Sequence, residues 1–298
     1  MGPTARDLRY AVRTLLKSPG FTAIAVSTLA LGIGASTVMC TLVDSVLLRP
    51  LPYADPDRLV MVWERPPNEP DEDNFISPAN FVAWEAQARS FEALAAFSDF
   101  TVNLTGDGEP EEVYARLATR NYFDLLGVPA RYGRTYTSAE NRDDVVVLSH
   151  RLWQRGYGGD PSIVGRAITV NDKRLTVIGV MGPDFRPVGA ATPAMWVPVD
   201  LDPEWRGRYL RAIGRLAPGT AVEQARTEMR AIAARLAAEF PDYNAKWSAD
   251  VVPLHEQETG DVRPALLVLL GAVGLLLLIA CANVANLLLG RAANRRKE

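Results

Sequence analysis

"ALLVLLGAVGLLLLIACANVANLLLG", residues 265–290, runs for 26 residues without a charge. As an α-helix it would be about 39 Å long, more than the roughly 30 Å hydrocarbon core of a bilayer. Leu and Ile fill its centre, where insertion into lipid is most favourable. A buried helix of a soluble domain seldom runs so far without a polar face. A second uncharged run, Phe21–Val43, has 23 residues and would be about 35 Å long. It is longer than the apolar region of a signal peptide, and some twenty residues precede it instead of a short cationic start. The two runs are expected as transmembrane helices, within 19–49 and 264–290, and the segment between them reads as ordinary globular sequence.

Charge sets the orientation. Arg6, Arg9, Arg13 and Lys17 precede the first run against the single acid Asp7, and Arg291, Arg295, Arg296 and Lys297 follow the second against Glu298. Lys and Arg concentrate on the cytoplasmic side of membrane spans. Both termini are therefore expected in the cytoplasm of a multi-pass protein of the cell (inner) membrane, with residues 50–263 periplasmic or extracellular. That middle segment has 23 basic and 32 acidic residues, a net charge of −9. A nucleic-acid-binding domain would be basic, so nucleic acid is excluded as a partner. The two cysteines, Cys40 and Cys281, fall in the apolar runs. They are expected to be small buried hydrophobes, and the outer region has to be held by its core alone.

Residues 1–18 carry Leu8, Val12, Leu15 and Leu16 on one helical face and the cations on the other, the pattern of an amphipathic helix on anionic headgroups. In the first span Gly32 and Ser36 are four apart and form a small-residue face that another helix can approach. In the second, Asn283 and Asn286 are three apart and face one side. Amides in lipid seek partners on a neighbouring helix, so membrane lipid and a further helix are expected as partners. Asp44, near the outer end of its span, is expected to reach the headgroups.

Pro50, Pro52 and Pro56 force an extended exit. Arg58–Trp63 reads as a first strand, followed by a polar loop, "ERPPNEPDED". "SPANFVAWEAQAR" reads as a helix with Ser77 as N-cap and Pro78 at its first position. Residues 91–104 are expected as helix and then strand. Strands follow at 111–119, 144–148, 167–170 and 175–180, the last two a hairpin across Asn171-Asp172-Lys173, then at "AMWVPVDL", "RYLRAIGRLAPG" and "WSADVVPL". Short helices are expected at 121–128 and 149–156. "TAVEQARTEMRAIAARLAAEF" is the strongest soluble helix, with Val222, Ala225, Met229, Ile232, Leu236 and Phe240 on one stripe. Interleaved strands and helices without a βαβ series give an α+β region in two lobes.

No constellation for catalysis stands out. The sequence has no phosphate-binding G-x-x-x-x-G-K-[ST] and no HExxH. His150 and His255 are far apart in sequence and read as ordinary residues. Asp71, Glu72 and Asp73 read as a solvated charge run rather than a calcium loop. Asn103-Leu104-Thr105 fits a glycosylation acceptor, a short motif common by chance. No enzyme, metal site or cofactor is expected in this chain.

"LRYAVRTLLKSPGFTAIAVSTLALGIGASTVMCTLVDSVLLRPLPYADPDRLVMVWE", "ARLATRNYFDLLGVPARYGRTYT", "VVVLSHRLWQRGYGGDPSIVGRAITVNDKRLTVIGVM" and "LLLLIACANVANLLLGRAANRRKE" together resemble permeases related to the MacB and FtsX transporters, and within them the duplicated orphan branch. The resemblance covers essentially the whole chain. It implies a MacB-type periplasmic core domain over 50–263, with a porter-like lobe from about 58–105 and 208–255 and an inserted lobe at about 106–207. It also implies three spans after the first, a dimer, and a partner ABC ATPase, either a separate subunit or a fused domain, that binds the ATP. Hydrolysis inside would move the outer domain, a mechanical coupling that serves export or efflux. Arg6, Arg9, Arg13, Lys17, Arg291, Arg295 and Arg296 would then touch the ATPase or the headgroups, residues 291–298 being the start of a cytoplasmic coupling loop. The chain stops at Glu298 with two spans where a complete module has four, so a fragment, or assembly with other chains, is expected. The alternative is a membrane-anchored periplasmic binding or scaffold domain without an ATPase.

Overall fold

The structure, a computed structural model, describes residues 19–69, 72–105, 110–260 and 262–295. The expected amphipathic helix at 1–18 lies outside them. The chain divides into two compact units, one running from Pro50 to Glu258 and the other made of the flanking segments.

The first helix, α1 (Pro19–Val43), ends in one π-helical turn, Asp44–Leu48. Arg49 is then extended, with φ −70° and ψ 130°, as the proline that follows it demands. Asp44 is paired with Arg49 (3.4 Å). The flanking unit is completed by a 33-residue helix, Arg263–Arg295. Gly32 of α1 lies against this helix: a Cβ on Gly32 would stand 3.2 Å from Leu277 Cδ1 and 3.6 Å from the Ala280 Cβ. Cys40 and Cys281 are free and exposed, not buried as expected, because two helices alone leave most of each apolar surface uncovered.

The globular unit runs β1 (Leu59–Arg65), α2 (Pro78–Gln87), β2 (Phe91–Thr105), β3 (Glu111–Ala118), α3 (Tyr122–Leu126), β4 (Tyr132–Gly133), β5 (Val145–Leu148), α4 (His150–Tyr157), β6 (Ala167–Val170), β7 (Lys173–Val180), β8 (Met195–Pro198), β9 (Arg211–Leu216), α5 (Val222–Glu239), α6 (Pro241–Asn244), β10 (Ser248–Pro253) and α7 (Leu254–Thr259). The 33-residue helix after it is α8. Among the described residues ten strands form one sheet in the order β10-β1-β9-β2-β3-β8-β5-β7-β4, with β6 bridging β7 back to β2. Only β3–β8 and β5–β7 are parallel; the other pairs are antiparallel.

Two packing solutions share β2. On the β10-β1-β9-β2 side, alternate residues point to opposite faces. Val60, Val62, Ala212 and Val251 meet Phe81 and Trp84 of α2 and Ala225, Met229, Ile232 and Leu236 of α5. Leu59, Met61 and Ile213 face the other way, toward Tyr122, Phe123 and Leu126 of α3. On the other side, β2-β3-β8-β5-β7-β6 closes on itself as a ring of six strands. Val113, Ala115, Val146, Leu148, Ile168, Val170, Leu175, Val177 and Met195, one from every second position, share one core with Leu152 and Trp153 of α4. Strands from both expected lobes thus lie in one sheet, and residues 50–258 cluster as one unit.

Local chemistry fixes the boundaries. Ser77 Oγ accepts from Asn80 N (3.2 Å) and Ser149 Oγ from Leu152 N (3.1 Å), so α2 and α4 start at capped residues. Gly127, at φ +66°, ends α3 in the left-handed conformation. Residues 91–105 form one strand of 15 residues instead of helix and then strand. The Ala-rich start favours a helix locally, but β9 and β3 pair with this segment on its two edges, and tertiary pairing overrides weak propensity. The expected three-residue loop at 171–173 has two residues, because Lys173 already pairs with Val170. Asn171 (φ +46°) and Asp172 (φ +62°) form the turn that suits a twisted hairpin. Asp172→Gly removes a left-handed Cβ and is expected to raise stability by up to about 1 kcal/mol in urea titration. Three elements not foreseen in the sequence, β4, α6 and α7, are two, four and six residues long.

Candidate functional site

The globular unit is entered at Pro50 and left at Glu258, and these two stems hold one loop. After β7 the chain runs from Met181 to Ala194 before β8 begins. The Tyr53 hydroxyl, on the entering stem, donates to the Arg186 carbonyl at 2.7 Å. Burial pushes that hydroxyl well above its ordinary range, with the neighbouring Tyr122 and Glu258 acting in the same direction, so it stays protonated and remains a donor. The Glu258 carboxylate, on the leaving stem, accepts from Gly189 N at 2.7 Å. Between them the Val188 carbonyl accepts from Arg116 Nη1 at 2.8 Å. The loop is therefore fastened at Arg186, Val188 and Gly189 to the first stem, the core and the second stem in turn.

Each stem is itself fixed. Ala54 N donates to the Leu126 carbonyl at 3.1 Å. Arg215 Nη2 donates to the Ala54 and Leu125 carbonyls at 2.7 and 2.6 Å. Gly127 leaves room for this contact, since a Cβ there would come within 2.5 Å of the Ala54 Cβ. On the leaving side Trp63 Nε1 donates to Gln257 Oε1 at 2.9 Å.

Arg116 is the centre of the arrangement and is fully buried. Its guanidinium makes a bidentate pair with Asp99, Nε to Oδ1 at 2.7 Å and Nη2 to Oδ2 at 2.9 Å. It also meets the Tyr122 hydroxyl at 3.0 Å and lies over the Phe97 ring, 4.3 Å from its centroid. A fork of fixed donors matched to a carboxylate is the arrangement arginine forms and lysine cannot. A second buried network sits near the far edge of the sheet, where Glu64 accepts from Arg208 and Asn80, and both of these also donate to Asn244 Oδ1. The sequence reading places Glu64 in a polar loop; it is instead the sixth residue of β1, 1% exposed.

The residues singled out from sequence lie elsewhere. Arg6, Arg9, Arg13, Lys17, Arg296 and Lys297 are outside the described residues, and the backbone of Arg291 and Arg295 continues α8. Ser36 Oγ bonds back to the Gly32 carbonyl at 2.8 Å. Asn283 and Asn286 are exposed on α8. Sequence reasoning missed Tyr53, Arg116, Arg215 and Glu258, since none belongs to a motif and each acquires a partner only through the fold. The one usable signal was Arg116 in an alternating strand, "EEVYARLA", at a position where an exposed charge is the ordinary expectation.

A family model described as the MacB-like periplasmic core domain matches residues 22–232. The chain belongs to that family. Among solved structures, a Porphyromonas gingivalis domain described as coming from a permease protein superposes with a TM-score of 0.53. It covers 68% of this chain and 92% of its own at 19% identity. The periplasmic region of MacB from Actinobacillus actinomycetemcomitans covers 69% of this chain and 93% of its own, at 10% identity and a TM-score of 0.50. At these identities the likeness is one of fold. No curated protein gives a significant match. The stem-and-loop arrangement thus belongs to a MacB-like core domain flanked by two helices of sufficient length and apolarity to cross a membrane, Val26–Leu47 and Arg263–Asn286.

Proposed function

We propose that this chain is the N-terminal part of an ABC-type permease, in which ATP hydrolysis by a partner ATPase in the cytoplasm moves a periplasmic domain for export or efflux. The observation that carries this reading is the placement of a MacB-like core domain between two helices of membrane-crossing length. On this reading α1 and α8 span the membrane, both termini are cytoplasmic, and the remaining spans come from further segments or a second copy. The cations flanking the spans contact headgroups and the ATPase, and the ATP is held by the partner. The two expected lobes would be the side of the sheet covered by α2 and α5 and the six-stranded ring. The stems give a displacement of either helix a route into the domain: Tyr53 and Glu258 pull on the same loop, and Arg116 ties that loop to β2 and β3.

The test is made in membranes. Single cysteines at Ser162 and at Thr4 are reacted with an impermeant maleimide on intact spheroplasts. Labelling at 162 alone supports the topology, and labelling at 4 alone inverts it. Co-purification of the full chain with an ABC ATPase, lost when Arg9, Arg13, Arg295 and Arg296 are reversed to Glu, is the expected second result. Association unchanged by the reversals favours the anchored scaffold instead.

A further inference from the structure

A cleft of about 300 Å³ opens on the globular unit between the start of β3, the first turns of α4 and the loop after β7. It is lined by Glu111, Glu112 and Tyr114 of β3, by His150, Arg151 and Arg155 of α4, and by Phe185 and Trp196. Its size is at the lower end for a ligand pocket, so it would take a few residues of a chain or a small molecule.

The backbone of β3 decides between these. β3 pairs with β8 only from Ala115 to Ala118, and the last hydrogen bond on that side is Ala194 N to the Tyr114 carbonyl at 2.7 Å. The Ala118 carbonyl takes Val199 N on the same side at 3.0 Å. Backbone groups of a strand alternate sides, residue by residue. Glu112, two before Tyr114, therefore turns its N–H and C=O toward the β8 side, beyond the last rung and along the cleft wall. On the opposite edge β3 is fully occupied by β2 as far as Glu111. This is an interrupted ladder next to a cleft, where an extended chain can continue the sheet.

The charges give the occupant a direction. Arg155 is already paired with Glu111 at 2.7 Å. Arg151 is exposed, and no ion pair of its side chain is seen among the described residues. It stands in the first turn of α4, where the helix dipole also favours an anion. Elsewhere the domain is strongly acidic, with a net charge of −9 over residues 50–263, so a cationic wall is a local exception.

We propose that this cleft binds an extended segment of another polypeptide, added to β3 beside Glu112 and Tyr114, with a carboxylate of that segment against Arg151. The site does not depend on ATPase coupling, so its test stands apart from that of the permease reading.

The probe is an array of random heptapeptides with free carboxyl ends, exposed to the purified full chain in detergent micelles. Retention of a subset is expected, weakened at least tenfold by Arg151→Glu and severalfold when the same peptides are amidated. In fluorescence anisotropy, methylation of the central backbone nitrogens of the best binder should remove binding while leaving every side chain in place. Circular dichroism of Arg151→Glu checks that it is folded, as the exposure of Arg151 leads one to expect. No retention, or retention indifferent to amidation, N-methylation and Arg151→Glu, overturns the proposal. So does self-association abolished by Arg151→Glu without peptide binding, which would place a second copy of the chain in the cleft.

Discussion

Arg116→Met is expected to lower the unfolding free energy by about 3–5 kcal/mol, the cost of breaking a buried ion pair by removing one partner. The carboxylate of Asp99 is 11% exposed and, among the described residues, would keep only Arg211, at 3.0 Å. The Val188 carbonyl and the Tyr122 hydroxyl would lose their shared donor as well. Met replaces the aliphatic stem and fills much of the volume over Phe97, so the loss reports the polar network and not a cavity. Two further variants separate the causes. Arg116→Lys keeps the charge but not the fork and should recover part of the loss. Arg116→Met with Asp99→Leu removes both charges and should lose less than Arg116→Met alone, because no carboxylate is left stranded. Guanidinium titration of the full chain in micelles, followed by tryptophan fluorescence, provides the measurement. A single-variant loss below about 1 kcal/mol, the size expected of an ordinary hydrogen bond, would show that Asp99 and Val188 find other partners. The buried Arg116–Asp99 pair would then add little to the anchoring of the loop at 182–190.

Position relative to periodicity explains what the sequence revealed. Val222, Met229, Ile232 and Leu236 repeat at helical spacing, and α5 buries that stripe against the sheet. Ser77-Pro78 and Asn171-Asp172 carry their own start and turn chemistry, and α2 and the β6–β7 hairpin form where it places them. These signals act within a few residues. The closure of six strands into a ring does not, since it depends on β6 reaching β2 through pairs 66 and 64 positions apart, Leu104–Val170 and Thr105–Thr169. The helix expected at the start of 91–104 failed for the same reason: "FEALAAF" has local helical preference, and its pairing with β9, joined by β3 from Phe97 onward, turns it into a strand. The stem contacts were hidden more deeply. Tyr53 meets Arg186 from 133 positions away and Glu258 meets Gly189 from 69, and each residue looks in sequence like an ordinary surface side chain. Alternation predicts which face of a strand a residue takes. It does not predict that Arg116, on a half-polar strand, will find a buried carboxylate on the next strand and a carbonyl from a distant loop.

Glu64 should give the molecule an opposite pH signature from its other carboxylates, and Glu64→Gln isolates it. Burial raises the Glu64 carboxyl above its ordinary range, outweighing the Arg208 guanidinium, which lowers it. Asn80 Nδ2 donates to Glu64 Oε1 at 2.6 Å, and Arg208 Nε donates to Oε2. Arg208 in turn stacks 3.7 Å over Trp247 and reaches the Tyr243 carbonyl at 3.0 Å. With a folded value above the unfolded one, the folded state holds the proton more tightly. The cost of burying the charge is therefore absent below the ordinary carboxyl range. It appears as pH rises from there through the raised folded value, and is constant above it. Asp250 and Glu140 behave the other way: arginine partners, with hydrogen bonds from backbone amides, outweigh burial and lower both carboxyls, so their contribution is lost on acidification. Subtracting the pH profile of Glu64→Gln from that of the unaltered chain cancels those common terms. At pH 7 the variant should be the more stable, because Gln, like a protonated carboxyl, removes the cost of burying the charge and still offers an acceptor to Asn80. Between pH 7 and the ordinary carboxyl range this advantage should shrink, since only the unaltered chain gains stability there by taking up a proton at residue 64. A variant that is less stable at pH 7, by a difference that fades on acidification, would mean that Arg208 dominates over burial and holds Glu64 ionised. The network joining β1, α2 and α6 would then be an ordinary ion pair.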